Sequence, residues 1–300
     1  MSGEASPGYL PYPSVPHLIE ERLPGGMRIL VLGRNPLERM WSSYQYNYVT
    51  PMKESMQAGR VDHVEKDQPE DYYAQFLFSF EEMVVAELAQ LRYCLNPVNG
   101  TAVVKARRQW KNKYEWTKLE YARRESWDLP PMADLDGHCY GERSRGGALR
   151  RQWADLMKDN PKKVILDRNT HLIQSIIGRS LYVLPLEWWY ARMDASQIYF
   201  VCTEELSDTT GAPLNKVASF LGLPSYNFSE TIQKGAYNVG GHRGYDTEVS
   251  WDVIEAEAEP VSSSENAIPL SDDVLQQVQD FVRPYNERLF QLTGRRCEGW

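Results

Sequence analysis

Arg34, Asn35, Pro36, Arg39 and Ser42 fall in one short run, and their types and spacing suit the binding of a phosphate dianion. A guanidinium offers a planar fork of donors to paired oxyanion oxygens, and a helix N-terminus adds backbone N–H groups and the positive end of a dipole. Pro36 marks where such a helix begins, because the missing N–H of proline costs nothing in the first turn. Ser42, two turns further on, would add a hydroxyl. An Arg at a strand–helix junction also occurs as plain scaffold, and this segment alone leaves both readings open.

The elements that must position these residues can be read around them. Residues 27–32 are almost continuously apolar and predict a strand buried on both faces of a parallel sheet. Gly33 breaks the pattern, which places Arg34 at the carboxyl end of the strand, where open α/β sheets bind their ligands. A helical stretch ends upstream at Leu23-Pro24. Downstream, residues 79–94 have helical periodicity, with Phe80, Val84, Leu88 and Leu91 on one stripe and Glu81 and Glu82 in the first turn. Residues 179–189 read as an aromatic-rich helix and 197–202 as a second buried strand, ended by Glu204-Glu205-Leu206. A helix over 213–220 is closed by Phe220-Leu221-Gly222-Leu223-Pro224, and Arg283-Pro284-Tyr285-Asn286 with Leu289 lie on a final helix. Strands separated by helices predict an α/β fold, a parallel sheet flanked by helices. Trp189 is assigned to the core, whereas Tyr190 fits either core or a sugar-stacking surface.

In kind and order these segments resemble sulfotransferases that use 3′-phosphoadenosine 5′-phosphosulfate, the Golgi-type enzymes of carbohydrate sulfation. The run Arg34-Asn35-Pro36-x-x-Arg39-x-x-Ser42 is similar to the family's 3′-phosphate segment, which implies that Arg34 and Ser42 hold that phosphate. Glu4-Ala5-Ser6-Pro7-Gly8-Tyr9 is similar to the family's Glu-x-(Ser/Thr)-Pro-x-Tyr segment and implies that Glu4 is the general base for the acceptor hydroxyl, a role that burial would favour by raising its pKa. Ala5 departs from the lysine of many relatives. Gly240-Gly241-His242-Arg243-Gly244-Tyr245 resembles the glycine-rich basic loop over the nucleotide, implying that Arg243 and Tyr245 bind it; a surface turn explains the same letters.

The resemblance implies a P-loop-NTPase-like fold in a single domain over 1–300, with an insertion on the acceptor side over about 50–167. The first strand and the Lys- and Gly-rich loop that grips the 5′-phosphosulfate are missing from the family order. Truncation at the N-terminus is the expectation; a true start at Met1 would instead point to a noncatalytic nucleotide- or glycan-binding remnant. The implied reaction is in-line sulfuryl transfer from the donor to a carbohydrate hydroxyl. A kinase relative fits less well, since neither a phosphate loop nor paired magnesium-binding carboxylates are evident.

Composition bounds the rest. The chain has 300 residues, 42% of them apolar, enough for one substantial core. Its formal net charge of −8 argues against nonspecific nucleic-acid binding and offers no broad basic face. Arg107, Arg108, Lys111, Lys113, Arg123 and Arg124 form a local basic concentration, a solvated helix face or an acceptor rim. Residues 55–73, 128–147 and 255–266 read as loops. No motif suggests a metal, and no stretch is long and apolar enough to span a bilayer, so a membrane link would need an upstream anchor. Cys94 and Cys139 could bridge in an oxidising lumen, the Golgi compartment the resemblance implies, whereas Cys202, in a buried strand, reads as a free thiol. His138 and His242 are of interest as neighbours of a site. Asn99-Gly100-Thr101 and Asn227-Phe228-Ser229 are sequons, relevant only in a lumen.

Overall fold

The structure, a computed structural model, describes residues 3–5, 9–11, 14–23, 25–57, 72–94, 176–207, 210–234, 236–237, 248–250, 252–253 and 268–300. Helix α1 spans Ser14–Arg22, strand β1 Ile29–Gly33 and helix α2 Pro36–Tyr44. A π-helical turn over Gln45–Val49 carries α2 directly into α3, Thr50–Gln57. Residues 55–57, expected in a loop, are therefore helical. Helix α4 spans Phe80–Cys94, and a 3-10 turn over Gly178–Ser180 precedes α5, Val183–Arg192. The helix expected from residue 179 thus begins only after this turn. Strand β2 is Ile198–Cys202, followed by a 3-10 turn over Thr203–Ser207, helix α6 at Ala212–Leu221 and helix α7 at Ser229–Lys234. Strands β3, Ala236–Tyr237, and β4, Glu248–Val249, pair antiparallel, and α8 covers Asp272–Thr293.

β1 and β2 pair in parallel, with Ile29 opposite Ile198 and Gly33 opposite Cys202. Such strands need a crossover connection, and here more than a hundred residues separate them in sequence. The described residues are helix-rich around this small parallel sheet, an α/β arrangement. The two-sided burial expected for β1 does not hold: Val31 is buried, whereas Leu30 and Leu32 are 37% and 53% exposed. The strand alternates in and out with the pleat, and only one face rests on the core. β2 meets the expectation, with Ile198, Phe200, Val201 and Cys202 all buried.

Local chemistry accounts for the helix boundaries. Asn35 caps α2, its Oδ1 accepting from Leu37 N–H at 3.0 Å. Ser79 and Glu82 form a reciprocal cap at the start of α4: Ser79 Oγ accepts from Glu82 N–H at 3.1 Å, and Glu82 Oε2 accepts from Ser79 N–H at 2.7 Å. Gly222, with φ of 74°, ends α6 in the left-handed region as its sequence context predicts. Phe80, Val84, Leu88 and Leu91 form the buried stripe expected of α4, Trp189 is in the core, and Tyr190 is buried there too.

The chain end locks the sheet. Gly294, with φ of 66°, stops α8 and reverses the chain, so that residues 295–300 return to the carboxyl ends of β1 and β2. There Cys297 forms a disulfide with Cys202, the Cα atoms 5.7 Å apart, which corrects the reading of Cys202 as a free thiol. Burial alone signals a thiol only when no second cysteine reaches it, and the turn at Gly294 delivers one. Arg295 donates to both carboxylate oxygens of Glu205 and to Tyr199 Oη, with its guanidinium over the Tyr199 ring. Trp300 packs against Tyr182, Phe200 and Phe290.

Candidate functional site

Gly33 ends β1 where space is tightest. A Cβ at this position would overlap the Phe200 ring and lie 2.9 Å from Trp300, so only glycine lets β1 close against these rings before the chain turns out to Arg34. The backbone of Arg34 is then held at both polar groups: its N–H donates to Tyr182 Oη at 3.2 Å, and Tyr182 donates back to its carbonyl at 3.1 Å. Asn35 is held from two further elements. Its N–H donates to Glu204 Oε1 at 2.5 Å, and its side-chain Nδ2 donates to the Gly299 carbonyl at 2.8 Å.

The turn is thereby rigid while its cation stays exposed. On α2, Pro36, Met40 and Tyr44 face the core at four-residue spacing. Glu38 and Ser42 share the opposite, exposed side, in line with the exposed Arg34. At 1.5 Å per residue Ser42 sits about 9 Å along the axis from Pro36. No side-chain hydrogen bond of Ser42 is formed among the described residues. Two expected anion donors are already occupied, however. Arg34 Nε is paired with Glu38 Oε2 at 3.1 Å, and Leu37 N–H is taken by the Asn35 cap. An incoming phosphate would have to displace the exposed Glu38 carboxylate.

Beneath the turn lies a brace that spacing alone does not reveal. Arg39 Nη1 donates to the Ile176 carbonyl at 2.8 Å and to Ser180 Oγ at 2.9 Å. Burial pushes its guanidinium down to about 10, against the favourable influence of Tyr182 and Glu87. Glu87, 2% exposed, receives the backbone N–H groups of Ile176, Ile177 and Gly178 at 2.7 to 2.9 Å, fixing the turn that presents Ser180 and Tyr182. Burial raises the Tyr182 phenol above its ordinary range, although Arg39 and the Arg34 backbone act in the opposite sense. The hydroxyl therefore keeps the proton it donates to Arg34.

Of the remaining expected site residues, Glu4 makes no bond to this junction among the described residues, and the others lie outside them. Glu4 is exposed, not buried, and accepts from Tyr9 Oη at 2.5 Å; among the described residues no hydrogen bond or ion pair joins it to Arg34 or Ser42. The carboxylate in turn raises the Tyr9 phenol. The segment that follows it is anchored to α5, where Trp189 Nε1 donates to the Leu10 carbonyl at 3.2 Å. Arg243, Tyr245, His242, His138, the Cys94–Cys139 pairing, the basic concentration at 107–124 and most of the proposed insertion lie outside the described residues. Among the described residues no cluster of His, Cys, Asp or Glu could hold a metal ion, and no helix is long and apolar enough to cross a membrane.

Comparison with known proteins gives a partial relationship. The chain is 30% identical over 132 residues to mouse (Mus musculus) heparan sulfate glucosamine 3-O-sulfotransferase 3B1 and, equally, to mouse heparan sulfate glucosamine 3-O-sulfotransferase 3A1. Each match covers 42% of this chain and 31% of the relative, so the chain spans about a third of the length of these relatives. No family model matches. The similarity supports a distant relationship to sulfotransferases.

Proposed function

We propose that this chain binds a 3′-phosphorylated adenine nucleotide at the β1–α2 junction and transfers a sulfuryl group from 3′-phosphoadenosine 5′-phosphosulfate to a carbohydrate hydroxyl. The observation that carries the reading is the turn itself: an exposed guanidinium on a backbone fixed by Tyr182 and Glu204, with the Asn35 side chain held by the Gly299 carbonyl, aligned with the exposed Ser42. Preorganisation of this kind lowers the cost of ordering a receptor when an anion binds. The distant sulfotransferase relatives supply the reaction class, and the heparan sulfate in their names supplies the class of acceptor.

In the proposed reaction the acceptor oxygen attacks sulfur in line with the leaving 5′-phosphate oxygen. The new S–O bond forms as the bond to that phosphate breaks, 3′-phosphoadenosine 5′-phosphate departs, and Glu4 takes the acceptor proton. Arg34 and Ser42 hold the 3′-phosphate and so fix the donor's orientation. Arg243 and Tyr245 are assigned to the same nucleotide. The proposal includes a P-loop-like sulfotransferase fold in one domain, working in the Golgi lumen.

Calorimetry with two nucleotides tests it. 3′-Phosphoadenosine 5′-phosphate should bind more tightly than adenosine 5′-phosphate, and Arg34→Ala should remove most of the difference, since a charge-assisted bond to a phosphate is worth about 1.5–3 kcal/mol. Arg34→Lys should also lose affinity, because an ammonium does not reproduce the fork. Equal affinity for the two nucleotides in the unaltered chain would overturn the assignment.

A further inference from the structure

The loop 222–228 between α6 and α7 carries chemistry that the nucleotide site does not use. Asn227-Phe228-Ser229 has the Asn-X-Ser order with a residue other than proline in the middle, the acceptor pattern for asparagine-linked sugars. Three residues alone are a weak signal, and the structure adds to it.

Asn227 is exposed, and its two amide atoms have divided roles. Oδ1 accepts from the Ser229 N–H at 3.2 Å and from Ser229 Oγ at 2.5 Å, whereas Nδ2 makes no hydrogen bond among the described residues. Substitution at Nδ2 leaves the carbonyl oxygen an acceptor and removes only an N–H that makes no hydrogen bond among the described residues. The turn is secured from behind: Tyr226 N–H donates to Asn215 Oδ1 at 3.1 Å, and Ile232 N–H donates to the Phe228 carbonyl at 2.9 Å. Phe228 packs over Gly211, where an added Cβ would sit 3.0 Å from its own. Tyr226, 58% exposed and in edge contact with the Phe228 ring, gives this loop apolar surface that a sugar ring could cover.

A second observation comes from elsewhere in the fold. The Cys202–Cys297 disulfide has both sulfurs' residues buried, at 1% and 3% exposure, and joins positions 95 residues apart. Disulfides persist in oxidising compartments, and the secretory lumen is the one in which sequons are read.

We propose that Asn227 is an acceptor of an asparagine-linked glycan. The co-substrate is a lipid-pyrophosphate-linked oligosaccharide. A bond forms between Nδ2 and the anomeric carbon, the bond from that carbon to the pyrophosphate oxygen breaks, the lipid pyrophosphate leaves, and the amide gives up one proton to a base of the transferase. The assignment rests on the loop and the disulfide and is independent of sulfuryl transfer.

The test is peptide mapping of the full chain secreted from a eukaryotic cell behind a cleavable leader. Treatment with peptide N-glycosidase should convert position 227 from Asn to Asp in most molecules, and a non-reducing map of the same sample should contain the Cys202–Cys297 peptide pair. Ser229→Ala should abolish the conversion and Ser229→Thr should keep it. Molecules with the Cys202–Cys297 bond intact but Asn227 unmodified would overturn the proposal, whatever the nucleotide-binding results. The unaltered chain alone decides this, even if a variant fails to fold.

Discussion

The Tyr182 hydroxyl is bonded to both backbone polar groups of Arg34, accepting from its N–H at 3.2 Å and donating to its carbonyl at 3.1 Å. One buried side chain thus sets the conformation of the residue proposed to bind the nucleotide phosphate. Tyr182→Phe keeps the ring against Phe200 and Trp300 but leaves two Arg34 backbone groups without this partner. The expected cost is about 1–3 kcal/mol in stability, with nucleotide affinity lowered as the turn loosens. Denaturant melting and calorimetry of the variant measure both; affinity equal to the unaltered chain would show that the turn holds Arg34 without the hydroxyl.

Burial of the same hydroxyl gives a pH dependence with a definite sign. The folded-state pKa of Tyr182 lies above its unfolded value of 10.0, so its contribution is fully present below pH 10 and is lost as pH rises through the higher folded value. Arg39 acts oppositely: burial lowers its folded value to about 10, below the ordinary arginine range, so the cost of burying its charge is relieved as pH rises through and above that value. Comparing Tyr182→Phe with the unaltered chain isolates the first effect. The stability difference between them should shrink above pH 10, and a constant difference would remove Tyr182 ionisation from the account.

Glu38 provides a test with the opposite sign. Its carboxylate occupies Arg34 Nε at 3.1 Å, and both side chains are about half exposed. Exposed pairs of this kind contribute roughly 0.2–1 kcal/mol, so Glu38→Gln should barely alter stability. It should nonetheless tighten nucleotide binding severalfold at low salt, because the phosphate no longer displaces a like charge, and the gain should fade as salt screens it. Unchanged affinity across a salt series would indicate that the phosphate does not reach Arg34.

The disulfide links the chain end to the same junction. Cys202–Cys297 closes a loop with a sequence separation of 95, and the tail that it fixes carries the Gly299 carbonyl to Asn35 and Trp300 to the Tyr182 ring. Cys297→Ser should cost roughly 2–5 kcal/mol in stability. It should also weaken the nucleotide, since Asn35 loses a restraint. Thermal melting with and without reductant, followed by calorimetry, reads both effects; a full loss of stability with intact affinity would confine the tail to a scaffold role.

What the sequence disclosed was local. Pro36 after Arg34-Asn35, the α4 stripe from Phe80 to Leu91 and the Gly222 stop each follow from neighbours within a turn or two, and each is found in place. The β1 pattern was legible as a strand yet misleading about its outer face, because an apolar run does not say which faces are covered. What could not be read is what holds the junction: Tyr182 lies 148 residues from Arg34, Glu204 lies 169 from Asn35, and Gly299 lies 264 from Asn35. Bonds from side chain to backbone across such distances have no period, since tertiary packing alone selects the partner. Glu87 illustrates the same limit, sitting on the apolar side of its helix to receive three amides that its own spacing does not announce.

Chemistry separates from binding at Glu4. The residue is exposed and bonded to Tyr9, so a role as base requires that the acceptor sugar or the nucleotide bring the reacting oxygen to it. Glu4→Gln keeps the size and one acceptor oxygen but removes the proton-accepting charge. In a chain shown to turn over donor, the variant should bind 3′-phosphoadenosine 5′-phosphate unchanged while sulfation of a heparan-like acceptor slows roughly 10²–10⁴-fold, the usual worth of a positioned base. Tyr9→Phe supplies the control, removing the hydrogen bond that occupies the carboxylate; it should leave the rate the same or raise it if Glu4 acts directly. Near-normal sulfation by Glu4→Gln would take Glu4 out of the mechanism, and a parallel fall in nucleotide affinity would make it part of the donor site.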